Sequence, residues 1–197
     1  MRILVCLLLL VWLSGCATLV PEPVAGLSDE QRRLLYAFND WRVQGRIAVR
    51  ADDESWQASL DWRHQPDVET LRLSGPLGQG GVDVQMSDAF IRITQADGTT
   101  EVSSRPEELL AERIGFPVPL GALRYWVVGV PAPDRHASLE YDEAGRLRMI
   151  RQMGWAVEYE RYMTVGDKVL PQKLVVRKGG IMLKLVVDQW YERVGHG

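Results

Sequence analysis

The sequence predicts an α+β domain that is mostly β: a long antiparallel meander with about three short helices and an apolar interior. Three observations carry this. Runs along most of the chain alternate apolar and polar side chains with a period of two, the mark of half-buried strands. Short Gly- and Asp-containing links of hairpin type join them. Some nine or ten strands present an apolar face, yet only three short helices are available to cover it. Either the sheet curls on itself or part of that face lines a cavity, and a curled sheet with helices inside, enclosing a hollow, satisfies both.

The chain begins with a secretory pattern. Arg2 precedes an apolar run from Ile3 to Leu13, followed by Ser14, Gly15 and Cys16. A basic start, a short apolar stretch and small residues before a cleavage point describe a signal peptide, here residues 1–15, too short to span a bilayer. L-S-G-C is also the form of a bacterial lipobox, whose cysteine takes a diacylglyceryl thioether and becomes the acylated first residue. The covalent lipid on Cys16 is the only non-protein group expected, with no cofactor. Without residues 1–15, 22 basic side chains face 26 acidic ones, a formal charge of −4. No block of like charge stands out, which argues against a nucleic-acid partner and against a polybasic membrane patch. Cys6 leaves with the signal and Cys16 carries lipid, so no thiol remains to form a disulfide.

Residues 16–27 read as the lipidated N-terminus and a tether. Two prolines and a glycine between Ala17 and Leu27 leave nothing periodic. A flexible coil of this length spans roughly 18 Å and a stretched one roughly 36 Å, which holds the domain close to a membrane face. A single domain, 28–197, follows. Ser28 to Gln31 is a capping box, and Leu27, Leu34, Leu35, Phe38 and Trp41 follow at helical spacing. Alternation then sets in: Trp56, Ala58, Leu60 and Trp62; Leu71 and Leu73; Val82, Val84 and Met86; Ile91 and Ile93. Further strands are expected at 138–141, 147–153, 155–163, 170–177 and 181–190. Asp97-Gly98, Asp142 to Gly145, Val165 to Lys168 and Lys178 to Gly180 are the turns. Between the two groups of strands, Pro106 opens a helix through Leu109, Leu110 and Ile114 to Gly115. Pro119 opens another through Leu120, Leu123, Trp126 and Val127, with Gly129 as its C-cap.

Catalytic chemistry finds no support. His64, His136 and His196 are scattered, without H-E-x-x-H or a cysteine partner. There is no G-x-S-x-G elbow, and Asp52-Asp53 and Asp142-Glu143 fall in turn-like stretches where acids are solvated. The chain reads as a non-enzyme. One loop stands out instead. In S-G-P-L-G-Q-G-G, Leu77 has no apolar neighbour within the loop. It either tucks back onto the core or projects as an apolar finger into a bilayer or a partner's groove. A stripe of Trp, Leu, Val and Met is likewise compatible with ordinary core or with a lipid pocket.

The residues then match a family. The lipobox at 13–16, G-R-I-A-V (Gly45 to Val49), G-P-L-G (Gly75 to Gly78), F-P-V-P-L…L-R-Y-W-V-V-G-V-P (Phe116 to Pro131), Q-M-G-W-A-V-E-Y (Gln152 to Tyr159), Leu170-Pro171 and the strand through Trp190 stand in the order and spacing of LolB. The chain resembles this family of outer-membrane receptors, which accept lipoproteins from the periplasmic carrier LolA in Gram-negative bacteria. The resemblance implies an incomplete, unclosed antiparallel barrel with helices over its open side and an apolar cavity for acyl chains. It implies a monomer, anchored by lipid at the periplasmic face of the outer membrane, whose partners are LolA, the acyl chains of cargo lipoproteins and the membrane's inner leaflet. It assigns Leu77, with Gly75, Pro76 and Gly78, to delivery into the membrane. Ala17 beside the lipidated cysteine fits outer-membrane sorting. The expected cavity residues are Leu60, Trp62, Leu71, Leu73, Val84, Ile91, Ile93, Trp126 and Trp155. The rival readings are an envelope scaffold with a filled core and, more remotely, a hydrolase acting on envelope lipids.

Overall fold

The structure is a computed structural model and describes residues 26–52, 54–75 and 80–192. The signal peptide, Cys16, the tether up to residue 25, and Pro76, Leu77 and Gly78 lie outside these.

Among the described residues, eleven antiparallel strands form one sheet: β1 (Trp41–Ala51), β2 (Glu54–Gln65), β3 (Val68–Ser74), β4 (Gly81–Met86), β5 (Ile91–Gln95), β6 (Thr100–Ser103), β7 (Ala137–Tyr141), β8 (Leu147–Gln152), β9 (Trp155–Val165), β10 (Lys168–Lys178) and β11 (Ile181–Glu192). The spatial order, β6-β5-β4-β3-β2-β1-β11-β10-β9-β8-β7, is two meanders sewn together where the first strand pairs with the last. β6 and β7 are the two edges, so the barrel is unclosed. A twisted sheet of more than about ten strands curls, which buries its apolar face without a second sheet. Gly45 marks one place where strands approach closely. The β1–β11 register shifts between Gln44 and Gly45, and a Cβ there would lie 2.1 Å from the Val186 carbonyl oxygen.

Among the described residues, three helices serve this sheet. α1 (Asp29–Ala37) starts on the expected capping box: Gln31 N–H donates to Ser28 Oγ at 3.2 Å, and Ser28 N–H donates to the Gln31 side chain at 3.0 Å. α2 (Pro106–Ile114) and α3 (Leu120–Val128) come from the link between the meanders. Each ends on a glycine in the left-handed region, Gly115 (φ 84°) and Gly129 (φ 91°), a conformation that glycine adopts without the strain of about 1–2 kcal/mol that a Cβ brings.

Two expectations need correction. The first helix stops at Ala37, and Trp41 opens β1 rather than closing a helical stripe. Trp41 fits both periods, three residues after Phe38 and two before Val43, and Gly45 interrupts the alternation that would have announced the strand. Leu34 is exposed, leaving Leu35 as the buried leucine of α1. β6 adds a strand that alternation does not predict, because four residues, T-E-V-S, are too few to show a period.

The core is continuous. Trp41, Trp62 and Trp190 meet at one end of the curl, with ring centroids 5.0 Å and 5.5 Å from Trp41, and Phe38 leans on Trp190 at 6.1 Å. Such edge contacts add about 0.5–1.5 kcal/mol each beyond area burial. The sheet's outward face carries cross-strand ion pairs such as Arg42–Asp61 and Arg72–Asp83. Exposed pairs of this kind contribute little stability and serve solubility.

Candidate apolar cavity

Inside the curl lies an apolar cavity of about 120 Å³. One wall is the sheet: Ile47 and Val49 of β1, Trp56, Leu60 and Trp62 of β2, Leu71 and Leu73 of β3, Val84 of β4, Leu174 and Val176 of β10, and Leu183, Lys184 and Leu185 of β11, with Lys184 the one charged residue among them. Period two puts every second side chain on this face. The opposite wall comes from the link between the meanders: Leu110 and Ile114 of α2, Phe116, Val118, and Leu120, Leu123 and Val127 of α3. Leu110 and Ile114 stand one helical turn apart, so α2 presents them together.

Of the nine residues expected here, Leu60, Trp62, Leu71, Leu73 and Val84 line the cavity. Ile93 lies one strand further out, in a neighbouring groove. Ile91, Trp126 and Trp155 stand outside the cavity wall. Ile91 is fully buried in solid packing, paired with Met86 across the sheet. Trp126 is fully buried too, its indole N–H donating to Gln152 Oε1 at 2.9 Å, which ties α3 to β8. Gln152 also donates to the Ala132 carbonyl at 2.8 Å and accepts the Ala132 N–H at 2.9 Å. Trp155 carries the Lys178 ammonium over its ring at 5.5 Å and faces an outer depression with His136 and Met153. Tryptophan therefore props the cavity at only two positions among the described residues. Trp56 is the one that the sequence reading left out, although it belongs to the same alternating run as Leu60 and Trp62. The helical half of the wall was legible as apolar stripes but could not be aimed at the sheet without the fold.

A buried polar cluster borders the cavity. Glu69 accepts from the Trp62 indole N–H at 2.5 Å, and His64 Nδ1 lies 3.0 Å from its other oxygen. Arg124 Nε stands 3.0 Å from that same oxygen, an ion pair, though its N–H is not aimed along a hydrogen bond. Asp88 lies 3.7 Å from the same guanidinium. The cluster pins α3 to the β2–β3 hairpin and fixes the Trp62 ring against the cavity. On the far side, the Tyr159 hydroxyl donates to the Trp126 carbonyl at 2.8 Å. Burial, with Tyr162 nearby, pushes that phenol well above its ordinary range, so it stays protonated and keeps donating. Among the described residues, no group of three His, Cys, Asp or Glu is placed to hold a metal ion, and no helix is long and apolar enough to cross a membrane.

An unclosed antiparallel barrel with helices over its open side and an oily interior defines a class of half-barrel proteins. A solved domain from Vibrio parahaemolyticus, assigned to outer-membrane lipoprotein sorting, shares the fold with a TM-score of 0.53 at 9% identity, over 85% of this chain and 93% of that one. Sequence relatives narrow the class. Outer-membrane lipoprotein LolB of Chromohalobacter salexigens is 32% identical over 96% of this chain and 90% of its own length. Those of Halorhodospira halophila and Stutzerimonas stutzeri are 34% and 35% identical, covering 96% and 95% of this chain and 94% and 93% of theirs. The family model for outer membrane lipoprotein LolB matches residues 39–190. The chain belongs to the LolB family, outer-membrane lipoproteins of Gram-negative bacteria that take part in lipoprotein sorting.

Proposed function

We propose that this protein receives lipoproteins from the periplasmic carrier LolA by taking their acyl chains into its apolar cavity, and then inserts them into the outer membrane. The cavity between the sheet and α2–α3 carries this reading: every side chain on its wall except Lys184 is apolar. Exposing one long acyl chain to water costs on the order of 10 kcal/mol, at ~0.8 kcal/mol per methylene. A lipid-modified protein therefore crosses an aqueous space only with its tails covered. The tails pass from one apolar lining to the next, and the bilayer takes them last as the deepest apolar phase. This step calls for no nucleotide and no bound cofactor beyond the protein's own lipid on Cys16. The protein acts as a monomer.

At about 120 Å³ the cavity is close to one that holds benzene, on the order of 150 Å³. A full acyl chain thus requires α2 and α3 to move away from the sheet, or a continuation of the cavity toward the surface. The filled-core scaffold is the second reading, and the small volume of the cavity is the observation that favours it.

All described helices and strands lie between Asp29 and Glu192, so a chain without residues 1–16 keeps each of them. Mixed with carrier loaded with a lipoprotein, this soluble form should take over the cargo, as read by co-purification after separating the two proteins. If the cargo stays with the carrier, the proposal fails. A second expectation concerns Leu73, half-buried on the wall. Leu73→Gln should weaken binding of a fluorescent acyl probe about tenfold, near 1.4 kcal/mol. An unchanged near-UV circular dichroism spectrum shows that the loss is not unfolding, and equal affinity would take Leu73 off the binding surface.

A further inference from the structure

The cavity does not end at its inner wall. A groove of about 780 Å³ opens beside it to the protein surface, between β2–β5 and α2. The two spaces share Trp56, Leu73, Val84, Leu110 and Ile114 as a common partition, so one continuous apolar surface leads from the interior outward. At the outer end the lining turns polar, with Glu54, Glu101, Glu112 and Arg113 forming the rim. Arg113 is committed to Glu101, donating from Nε at 2.8 Å and also from Nη2. Glu54 and Glu112 are exposed, and no ion pair engages either among the described residues. Three carboxylates thus face one guanidinium around an oily slot.

We infer that this groove is the portal and head-group subsite for the acyl chain, and that its rim selects neutral, ester- or amide-linked chains over anionic lipids. The inference rests on the acyl-binding reading above. Apolar continuity supplies the direction: the chain's far end seats in the inner cavity, where no rim charge reaches. Each methylene that cannot fit there remains out of water only along the groove. The carbonyl end and whatever it is attached to then lie between Glu54 and Glu112. A carboxylate or phosphodiester at that position meets like charge at the edge of a low-dielectric slot, whereas a glycerol ester or an amide meets hydrogen-bond acceptors and water. Membranes that carry anionic lipids hold such chains in large excess over cargo. A rim that refuses them keeps the cavity free while the protein works against a bilayer.

Two measurements on the chain without residues 1–16 test this. In the first, a neutral fluorescent acylglycerol is displaced by monopalmitoylglycerol or by palmitate, and by lysophosphatidylcholine or lysophosphatidylglycerol of equal chain length. The uncharged or zwitterionic member of each pair should compete about tenfold better. Glu54→Gln with Glu112→Gln should bring the anionic member up to match while leaving the neutral one unchanged. In the second, a neutral lipid carries a photoactivatable diazirine near its carbonyl or at its far end. The first should label α2 and β4, and the second Leu174 or Leu185. Neutral binding without discrimination, a ratio indifferent to the double variant, or reversed labelling would overturn the inference and leave the acyl-binding reading standing. No binding of the neutral probe would overturn both.

Discussion

Replacing Leu77 with glutamate is expected to impair delivery of cargo to liposomes while leaving uptake from the carrier intact. Leu77 is the apolar residue of a loop otherwise made of Gly75, Pro76, Gly78, Gln79 and Gly80. It lies outside the described residues, but Gly75 and Gly80, which flank it, border the mouth of the groove that leads to the cavity. A leucine that enters the bilayer gains about 1.5–3 kcal/mol from burial. A carboxylate there loses that gain and adds a cost of about 2.5–3.5 kcal/mol at full depth, less near the interface. The delivery rate should fall by about tenfold or more, with Leu77→Ala in between. Uptake, read as cargo leaving the carrier in the absence of membranes, should match the unmodified chain, because uptake draws on the cavity wall that the sheet, α2 and α3 supply. Delivery at an undiminished rate would remove Leu77 from the mechanism.

The second large effect is structural. Glu69 is buried and holds the Trp62 indole, His64 and Arg124 together. Glu69→Ala leaves the largely buried Arg124 guanidinium without its ion partner and the Trp62 indole N–H without its acceptor. Removing one partner of a buried pair typically costs about 3–5 kcal/mol, because the remaining charge is stranded. For a chain of this size, a melting-temperature drop of roughly 6–20 °C follows, measurable by differential scanning calorimetry together with urea denaturation. Acyl affinity should fall as well, since Trp62 and α3 both form cavity wall. A loss below about 1 kcal/mol would mean that Arg124 swings to Asp88 and water, and that the cluster is not what pins α3.

The legibility of this molecule in its sequence follows from the range of each physical rule. Hairpin turns, the capping box at Ser28, and the glycines after α2 and α3 are local, set by φ and by hydrogen bonds within four residues. They emerged where the composition placed them. Trp41 satisfies two periods at once, and only its pairing with Glu192 and His64 places it in a strand. Leu60, Trp62, Leu71, Leu73 and Val84 could be picked out because alternation puts them on one face of adjacent strands. Trp126 and Trp155 could not be ranked by the same rule, since a large apolar ring looks alike whether it lines a void or fills one.

By itself, then, the sequence determined a lipobox-bearing, disulfide-free domain of antiparallel strands with one apolar face, and its motifs carried the family. Tertiary structure alone decided which apolar residues face empty space and that the oily interior is small and continues into a rimmed groove. It also decided that Glu69 and Gln152, each buried, tie α3 to the sheet. The physical reason is that backbone preference and periodicity act over a few residues, whereas a void is defined by what fails to meet across a curl joining residues a hundred positions apart.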